Sequence, residues 1–521
     1  MKYSYSQVDK DNLAWFSGDM SVASLTELHL KDGHLRGLSP FKIQFTYPIS
    51  AIAGKNRSGK STILAMAACA FHNSKSGFKL PERRSPYYTF SDFFVQSAEE
   101  IPPQGIFIGY RIMYNKWLKS PRAPEGIGNC FQSRSKKKGG KWRRYANRVL
   151  RNVVFFGVQR VVPPYEKSVS RSYRSYFSDQ ASAGWETEVK AVVGRILGAN
   201  YDSLKMKTYR KYRLAVVTTN GFQYSGFNMG AGENALFEIF STIYATPKGT
   251  LLVIDEIELG LHAQAQRRLI DELKQACKNR HIQVICSTHS PTILGALPPE
   301  ARLYVECRPS GTVIIPAVST LYAAGRLSGE KSRELDIYVE DGAAKDILEA
   351  FMHNDLRKRA EVIPIGSPSA IIRQMAARRK DKRGGECIAV MDGDKASASG
   401  TYQNKFLGAL ESSENPDEEK TWFSERLTFL PGNTWPELWL IDSLLTLDTS
   451  AMAGSLRVSA EEFSSYLTEA RNAGKHNELY HLAKSLCLEP ENVLQTSARF
   501  VAAQKSDDFG QINAMLTKYL P

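Results

Sequence analysis

The 521 residues are 42% hydrophobic and 23% charged, which is ordinary globular composition and excludes a disordered chain. At roughly 150 residues per domain the length implies two to four domains and excludes a single small binding module. Sixty-eight basic against 54 acidic residues leave a net charge of +14, a balance that favours polyanionic partners such as nucleic acid or an anionic membrane.

The seven cysteines are odd in number and form no C-x-x-C pair, so neither a disulfide framework nor a structural zinc site is expected, and a reducing cytosol fits best. The first twenty residues are polar where a signal peptide carries its apolar run. No stretch reaches about 18 uninterrupted apolar residues. The expected setting is therefore soluble and cytoplasmic, with no membrane partner.

Along the chain, Leu28 and Leu30 alternate with polar neighbours, and Phe41, Ile43 and Phe45 repeat the pattern of a half-buried strand. From Pro48 an apolar strand runs through Ile52-Ala53 into a glycine-flanked turn and then a helix beginning near Thr62. Residues 72–150, rich in Pro, Ser and basic side chains with weak periodicity, read as an insertion. Strands are expected at 152–158, 213–218, 250–254 and 283–286, with a helix over 262–279. A Ser/Gly/Lys/Arg-rich linker at 318–334 precedes a second alternation: strand 335–340, helix 342–354, strand 361–365, helix 368–380, strand 387–391, strand 426–430, helix 435–447. The tail 459–521 reads as helical, and no heptad array suggests coiled-coil arms. The expected class is α/β: a domain at 1–325, a smaller α/β domain at 335–450 and a helical segment at 451–521.

Gly54-Lys55-Asn56-Arg57-Ser58-Gly59-Lys60-Ser61 fits G-x-x-x-x-G-K-[ST] and sits between a strand and a helix, as phosphate binding requires. Gly54, Asn56, Ser58, Gly59 and Thr62 place backbone N–H groups around the phosphates of ATP, Lys60 neutralises their oxygens, and Ser61 can ligate Mg²⁺. The bland alternative is a glycine turn opening a helix. After a gap of 194 residues from Ser61, an apolar strand ends in Asp255-Glu256: Asp255 suits Mg²⁺ and Glu256 an attacking water. Alone, that pair would read as acids at a helix N-terminus. The strand at 283–286 leads to His289, placed to meet a γ-phosphate, though an isolated His is ordinarily structural.

On these motifs the stretch 25–310 resembles the ABC-type ATPases, in the branch that holds SMC-like, RecF-like and OLD (overcoming lysogenization defect) proteins. The resemblance implies that Asp255-Glu256 are the Walker B pair, Glu258-Leu259-Gly260-Leu261-His262 the D-loop, and His289 the switch histidine. It also makes Met229-Gly230-Ala231-Gly232-Glu233 the signature loop, with Gly230 and Gly232 on the nucleotide; Gly230 stands where the family usually has Ser. Gln159 is a weaker Q-loop candidate. A head-to-tail homodimer or higher oligomer closing on ATP is implied.

In the second alternation, one strand ends in Glu340-Asp341-Gly342 and another in Asp392-Gly393-Asp394. Carboxylates at the C-terminal ends of parallel strands converge on one sheet edge, where Mg²⁺ or Mn²⁺ relieves their repulsion. Two such ions could activate water on a phosphodiester; the alternative is two ordinary acidic turns. Residues 335–450 look like a Toprim domain, which makes Glu340, Asp392 and Asp394 metal-binding and catalytic. The acid often found four positions after the glutamate is replaced by Ala344, leaving Asp341 and Asp346 as displaced alternatives and Glu437 as a further candidate ligand.

Two basic runs suit a polyanion: Arg134–Tyr145, with seven positive charges and two aromatics, and Arg378-Arg379-Lys380 with Lys382-Arg383. Either also reads as a solvated surface. The resemblance implies an ATP-gated, metal-dependent nuclease in phage defence, acting on nucleic acid, DNA ahead of RNA. Its rival is an ATPase sensor with an inactive Toprim-like unit that controls a separate nuclease partner, as in Septu-type pairs, favoured by Ala344 and Gly230. A transporter ATPase subunit is the third reading, weakened by the Toprim-like half.

Overall fold

The computed structural model describes residues 3–95, 97, 99–100, 105–121, 123–137, 142–143, 148–162, 166, 176–328, 334–380, 386–411 and 415–520. It divides into two units, residues 2–328 and 329–521. Strands, and helices of eight or more residues, are numbered below in chain order.

The first unit comprises Gln7–Gly18 (α1), Ser24–Asp32 (β1), Phe41–Gln44 (β2), Ile49–Ala53 (β3), Lys60–Ala68 (α2), Ile106–Tyr114 (β4), Gly128–Lys136 (β5), Val153–Phe156 (β6), Ser178–Asp179 (β7), Glu186–Leu197 (α3), Ser203–Tyr209 (β8), Tyr212–Thr219 (β9), Phe222–Ser225 (β10), Ala231–Ala245 (α4), Leu251–Ile254 (β11), Ala263–Arg280 (α5), Gln283–Thr288 (β12), Arg302–Arg308 (β13), Gly311–Pro316 (β14) and Thr320–Ser328 (α6). Six strands in the order β14-β13-β3-β12-β11-β6 form the central sheet, parallel from β13 to β6 and bordered by antiparallel β14. Every residue of β3, β11 and β12 is buried, as both faces of an interior parallel sheet demand.

Two antiparallel sheets, β2-β1-β4-β5 and β10-β9-β8-β7, complete the unit. The stretch 72–150, read from sequence as an insertion, therefore supplies half of the first of these. Ile106, Ile108, Tyr110 and Ile112 alternate into the core, a period-2 signal obscured by the Pro/Ser-rich sequence before it. The segment expected to be a linker also begins as structure, since 320–328 is helical; residues 329–333 lie outside the described residues.

Helix α1 is fixed by buried polar chemistry. Ser6 and Asp9 form a capping box, and Asp9 pairs with Lys274 of α5 at 3.0 Å and accepts from Tyr47 Oη at 2.9 Å. Asp9 and Lys274 are 0% and 5% exposed.

The second unit comprises Leu335–Val339 (β15), Gly342–Phe351 (α7), Ala360–Pro364 (β16), Pro368–Lys380 (α8), Glu386–Met391 (β17), Ser399–Leu410 (α9), Pro416–Ser424 (α10), Leu427–Phe429 (β18), Pro436–Thr446 (α11), Ala460–Arg471 (α12), Glu478–Leu486 (α13), Pro490–Gln504 (α14) and Gly510–Tyr519 (α15). Its sheet is parallel throughout, in the order β16-β15-β17-β18. Alternate residues feed two cores. Ile337, Val339, Ile388 and Val390 pack with α7 and α11–α15, while Tyr338, Ala389 and Met391 pack with α8–α10. The helical tail thus shares a core with the sheet, and the segments set apart in the sequence at 335–450 and 451–521 form one unit. The α/β class expected from the sequence is the class observed. No helix among the described residues is long and apolar enough to cross a membrane.

Candidate nucleotide site and acidic cluster

Residues 54–59 turn from β3 into α2. Gly59 caps the helix with φ 89°, a left-handed conformation, and a Cβ there would overlap the Leu38 side chain at 2.3 Å, so glycine is required. Lys60, 6% exposed, donates to Gly54 O at 2.8 Å and Lys55 O at 3.2 Å; burial lowers its pKa, and Glu256 and Asp255 oppose that shift. Asn56 is exposed on the loop and Ser58 buried beneath it, while in the first turn of α2 Ser61 is exposed and Thr62 buried.

Strand β11 runs beside β12, which runs beside β3, so three chain-distant segments end along one line. Ser61 Oγ faces Asp255 Oδ1 at 3.4 Å, and Ser287 Oγ donates to the same oxygen at 2.5 Å while accepting from Glu256 N at 2.7 Å. His289 Nε2 lies 3.3 Å from Glu256 Oε1, and its backbone N–H donates to Glu258 Oε1. Burial raises the pKa of Glu256, with Glu258 adding to it, and burial then Lys60 lower that of His289. Both shifts oppose charge on the two groups and so weaken an ion pair between them.

In the proposed signature loop, Gly230 precedes α4 in an extended conformation and is open to solvent. Gly232 is buried against the turn at Gly260. Glu233 Oε1 accepts from Tyr201 Oη at 2.8 Å and Tyr224 Oη at 2.7 Å, which anchors the first turn of α4 to β10. Gln159 is exposed in the single turn after β6. Its neighbour Arg160, which sequence reasoning passed over, is 3% exposed and donates to the carbonyls of Asp255, at 2.5 Å, and Glu256.

In the second unit the parallel pairing of β15 and β17 brings Glu340 to Asp392: Asp392 N donates to Glu340 Oε1 at 3.1 Å. The D-G-D turn lies under the 430–434 loop, with Asp394 N donating to Thr434 O at 3.1 Å, and a Cβ at Gly393 would strike Gly432 O at 2.2 Å. Burial, then the charges of Glu340, Asp341, Asp394 and Glu437, push the Asp392 carboxyl up to about 8. Burial also raises Glu340. Asp392 Oδ1, Asp394 Oδ1 and Glu437 Oε2 are buried with no hydrogen-bond partner.

Two cations stand beside this cluster. Lys395 Nζ lies 2.8 Å and Lys475 Nζ 3.4 Å from Asp394 Oδ2; burial alone would raise the Asp394 pKa, but these lysines hold it low. His476 Nδ1 is 3.3 Å from Glu437. Asp341 caps α7 through Ala344 N, and Ala344 is wholly buried in the core. Among the described residues no group of three or more His, Cys, Asp or Glu side chains stands arranged to hold a metal ion.

Within the basic runs, read from sequence as either polyanion-binding or solvated, several described side chains have partners inside the protein. Arg134 is 1% exposed and donates to Ser133 O and Ala70 O, and Trp142 stacks on Phe90 at 4.0 Å, so both serve the core. Arg378 pairs with Asp336, Arg379 with Glu418 and Glu419, and Lys380 with Glu411. Lys138, Lys141, Arg144, Tyr145, Lys382 and Arg383 lie outside the described residues.

Residues 141–295 match a family described as "AAA domain, putative AbiEii toxin, Type IV TA system", a span that includes Asp255, Glu256 and His289 but not the glycine loop. Similar solved structures include the SMC head domain from Thermotoga maritima, at 17% identity over 56% of this chain and 98% of that one, TM-score 0.34. The SmcHead bound to the C-winged helix domain of ScpA is 15% identical over 56% and 96%, TM-score 0.36. The Smc head domain with an extended coiled coil, bound to the C-terminal domain of ScpA derived from Pyrococcus furiosus, is 12% identical over 56% and 96%, TM-score 0.36. No curated protein sequence matches. The family match and the glycine-loop geometry are both features of a P-loop ATPase domain.

Proposed function

We propose that the chain is an ATP-hydrolysing, metal-dependent nuclease similar to OLD proteins, acting on DNA in the cytoplasm as part of antiviral defence. In this reading Gly54, Asn56, Ser58, Gly59, Lys60 and Thr62 hold the phosphates, Ser61 and Asp255 hold Mg²⁺, Glu256 orients water, and His289 meets the γ-phosphate. Gly230 and Gly232 close on the nucleotide of a second copy in a homodimer or larger assembly. Glu340, Asp392 and Asp394 carry the cleavage.

One observation carries the nuclease half. The Asp392 carboxyl is buried among four other acids with one oxygen orphaned, an arrangement that costs stability and that a bound cation would relieve. The donor set is all oxygen, which fits Mg²⁺ or Mn²⁺. Either ion would polarise a phosphodiester and lower the pKa of bound water. Binding requires Glu340, Asp392 and Asp394 to turn toward one another and the lysines to leave Asp394.

The lysine contacts favour a second reading, in which the acidic cluster is neutralised from within and the chain is a sensor controlling a partner nuclease. Incubating purified chain with DNA, Mn²⁺ or Mg²⁺, with and without ATP, separates the two. The nuclease reading expects cutting that Asp392→Ala abolishes while ATP hydrolysis continues, and loss of nucleotide binding in Lys60→Ala. Cutting that survives Asp392→Ala refutes the assignment, and ATP hydrolysis without any cutting supports the sensor.

A further inference from the structure

Strand β6 ends in the single turn Val158–Val161, and Arg160 points from it into the protein. Its guanidinium donates to three main-chain carbonyls: Nη1 to Gly157 O at 3.1 Å and Asp255 O at 2.5 Å, and Nη2 to Glu256 O. A guanidinium is planar with its donors in a fixed fork, so it fixes the peptide planes it bonds more firmly than a flexible ammonium can. The peptide plane before Glu256 is also held from its other side, by Glu256 N donating to Ser287 Oγ at 2.7 Å.

Glu256 itself has φ 52°, in the left-handed region. A non-glycine residue keeps that conformation only where its surroundings over-determine it. With the planes on both sides of Glu256 pinned, the direction of its Cα–Cβ bond is set, and its carboxylate arrives 3.3 Å from His289 Nε2. Burial lowers the Arg160 pKa, and Glu238, Asp255 and Glu258 oppose that shift.

We infer that Arg160 is a positioning residue for ATP hydrolysis, aiming the Glu256 carboxylate through the backbone without touching the nucleotide. The inference rests on the reading of Glu256 as the group that orients the attacking water. Misaiming a reacting group by an ångström costs a rate of about 100-fold.

The test uses the full-length protein and measures steady-state ATP hydrolysis together with equilibrium binding of a fluorescent ATP analogue. Arg160→Met lowers kcat about 100-fold and leaves the nucleotide Kd within about threefold, whereas Arg160→Lys, which keeps one donor, recovers part of kcat. In a Glu256→Gln background, Arg160→Met lowers the residual rate by no more than about twofold, because the carboxylate it aims is already gone. Equal losses of affinity and kcat, an unchanged kcat, or the same penalty in the Glu256→Gln background each overturn the inference. Should Arg160→Met fail to fold, as judged by its thermal melt, Arg160→Lys decides: a reduced kcat at unchanged Kd supports the inference, and wild-type kcat overturns it. A wild-type chain that binds ATP without hydrolysing it overturns the reading of Glu256 and the inference with it.

Discussion

Gly230 and Gly232 open the same helix, yet the structure gives them opposite tolerances. A Cβ at Gly232 would lie 2.1 Å from Gly260 O and 2.8 Å from its carbonyl carbon, while one at Gly230 meets nothing within 4 Å. A methyl needs about 3.2 Å from a carbonyl oxygen, so Gly232→Ala must shift the backbone by roughly 1 Å. The turn it pushes against is itself constrained, since Gly260 has φ 79°. Overpacking of this kind costs about 1–3 kcal/mol. At about 2.1 cal/mol/K per residue, the unit 2–328 unfolds with an entropy of about 0.7 kcal/mol/K, so a cost of 2 kcal/mol lowers its melting temperature by about 3 °C. Gly230→Ser should melt within about 1 °C of wild type: the site is open, its φ of −61° suits serine, and serine is a favoured N-cap. Because serine is also what the resembled signature carries there, this variant should raise ATP turnover. Differential scanning calorimetry of both variants, with steady-state ATP hydrolysis alongside, makes the comparison. A Gly232→Ala protein that melts with wild type would show that the α4 start and the Gly260 turn are not in contact, and the argument from close backbone approach would fail.

Asp9→Asn strands the buried Lys274 ammonium and should destabilise the first unit by about 3–5 kcal/mol near neutral pH. The folded pKa of Asp9 is held low: burial would raise it, but Ser6 and Lys274 outweigh that. Its stabilisation is therefore present above the unfolded value of 3.8 and lost as pH falls through the folded one, so chemical denaturation should show the wild-type advantage undiminished at pH 6 and shrinking only below about pH 4. Asp392→Asn removes a carboxylate from among four others, so in EDTA it should raise the melting temperature of the second unit; added Mn²⁺ should stabilise wild type and leave the variant unmoved. A melt lowered in EDTA would mean that Asp392 is structural. Ala344→Asp puts a carboxyl into the core instead of restoring a ligand; urea titration should show a loss of at least about 2 kcal/mol, and a variant that instead gains Mn²⁺ affinity would place residue 344 at the acidic cluster.

Features whose cause is local were legible in the sequence. The glycine loop, the apolar runs of β3, β11 and β12, and α8 at both of its bounds follow from periodicity and motif chemistry within a dozen residues. That the strands ending in Glu340 and Asp392 run parallel followed as well from strand-helix alternation, though their direct pairing did not. What stayed hidden depends on partners far along the chain. Arg134 reads as one of seven surface charges until β5 turns it inward, and Arg160 carries no motif because what it holds is the backbone 95 residues away. The same limit governs the acidic cluster. Glu340, Asp392 and Asp394 could be read from strand ends, but Lys475 comes from the α12–α13 connection, 81 residues beyond Asp394. Its charge decides whether the carboxylates face a vacant cation position or an occupied one. A cluster of five acids with no internal cation would hold a divalent ion by electrostatics alone. With two ammonium groups on Asp394, a metal gains that position only by displacing them, so Lys475→Ala should strengthen Mn²⁺ binding by calorimetry if the cluster is a metal centre held in check from within. Unchanged binding in Lys475→Ala would mean that the tail merely packs beside the sheet.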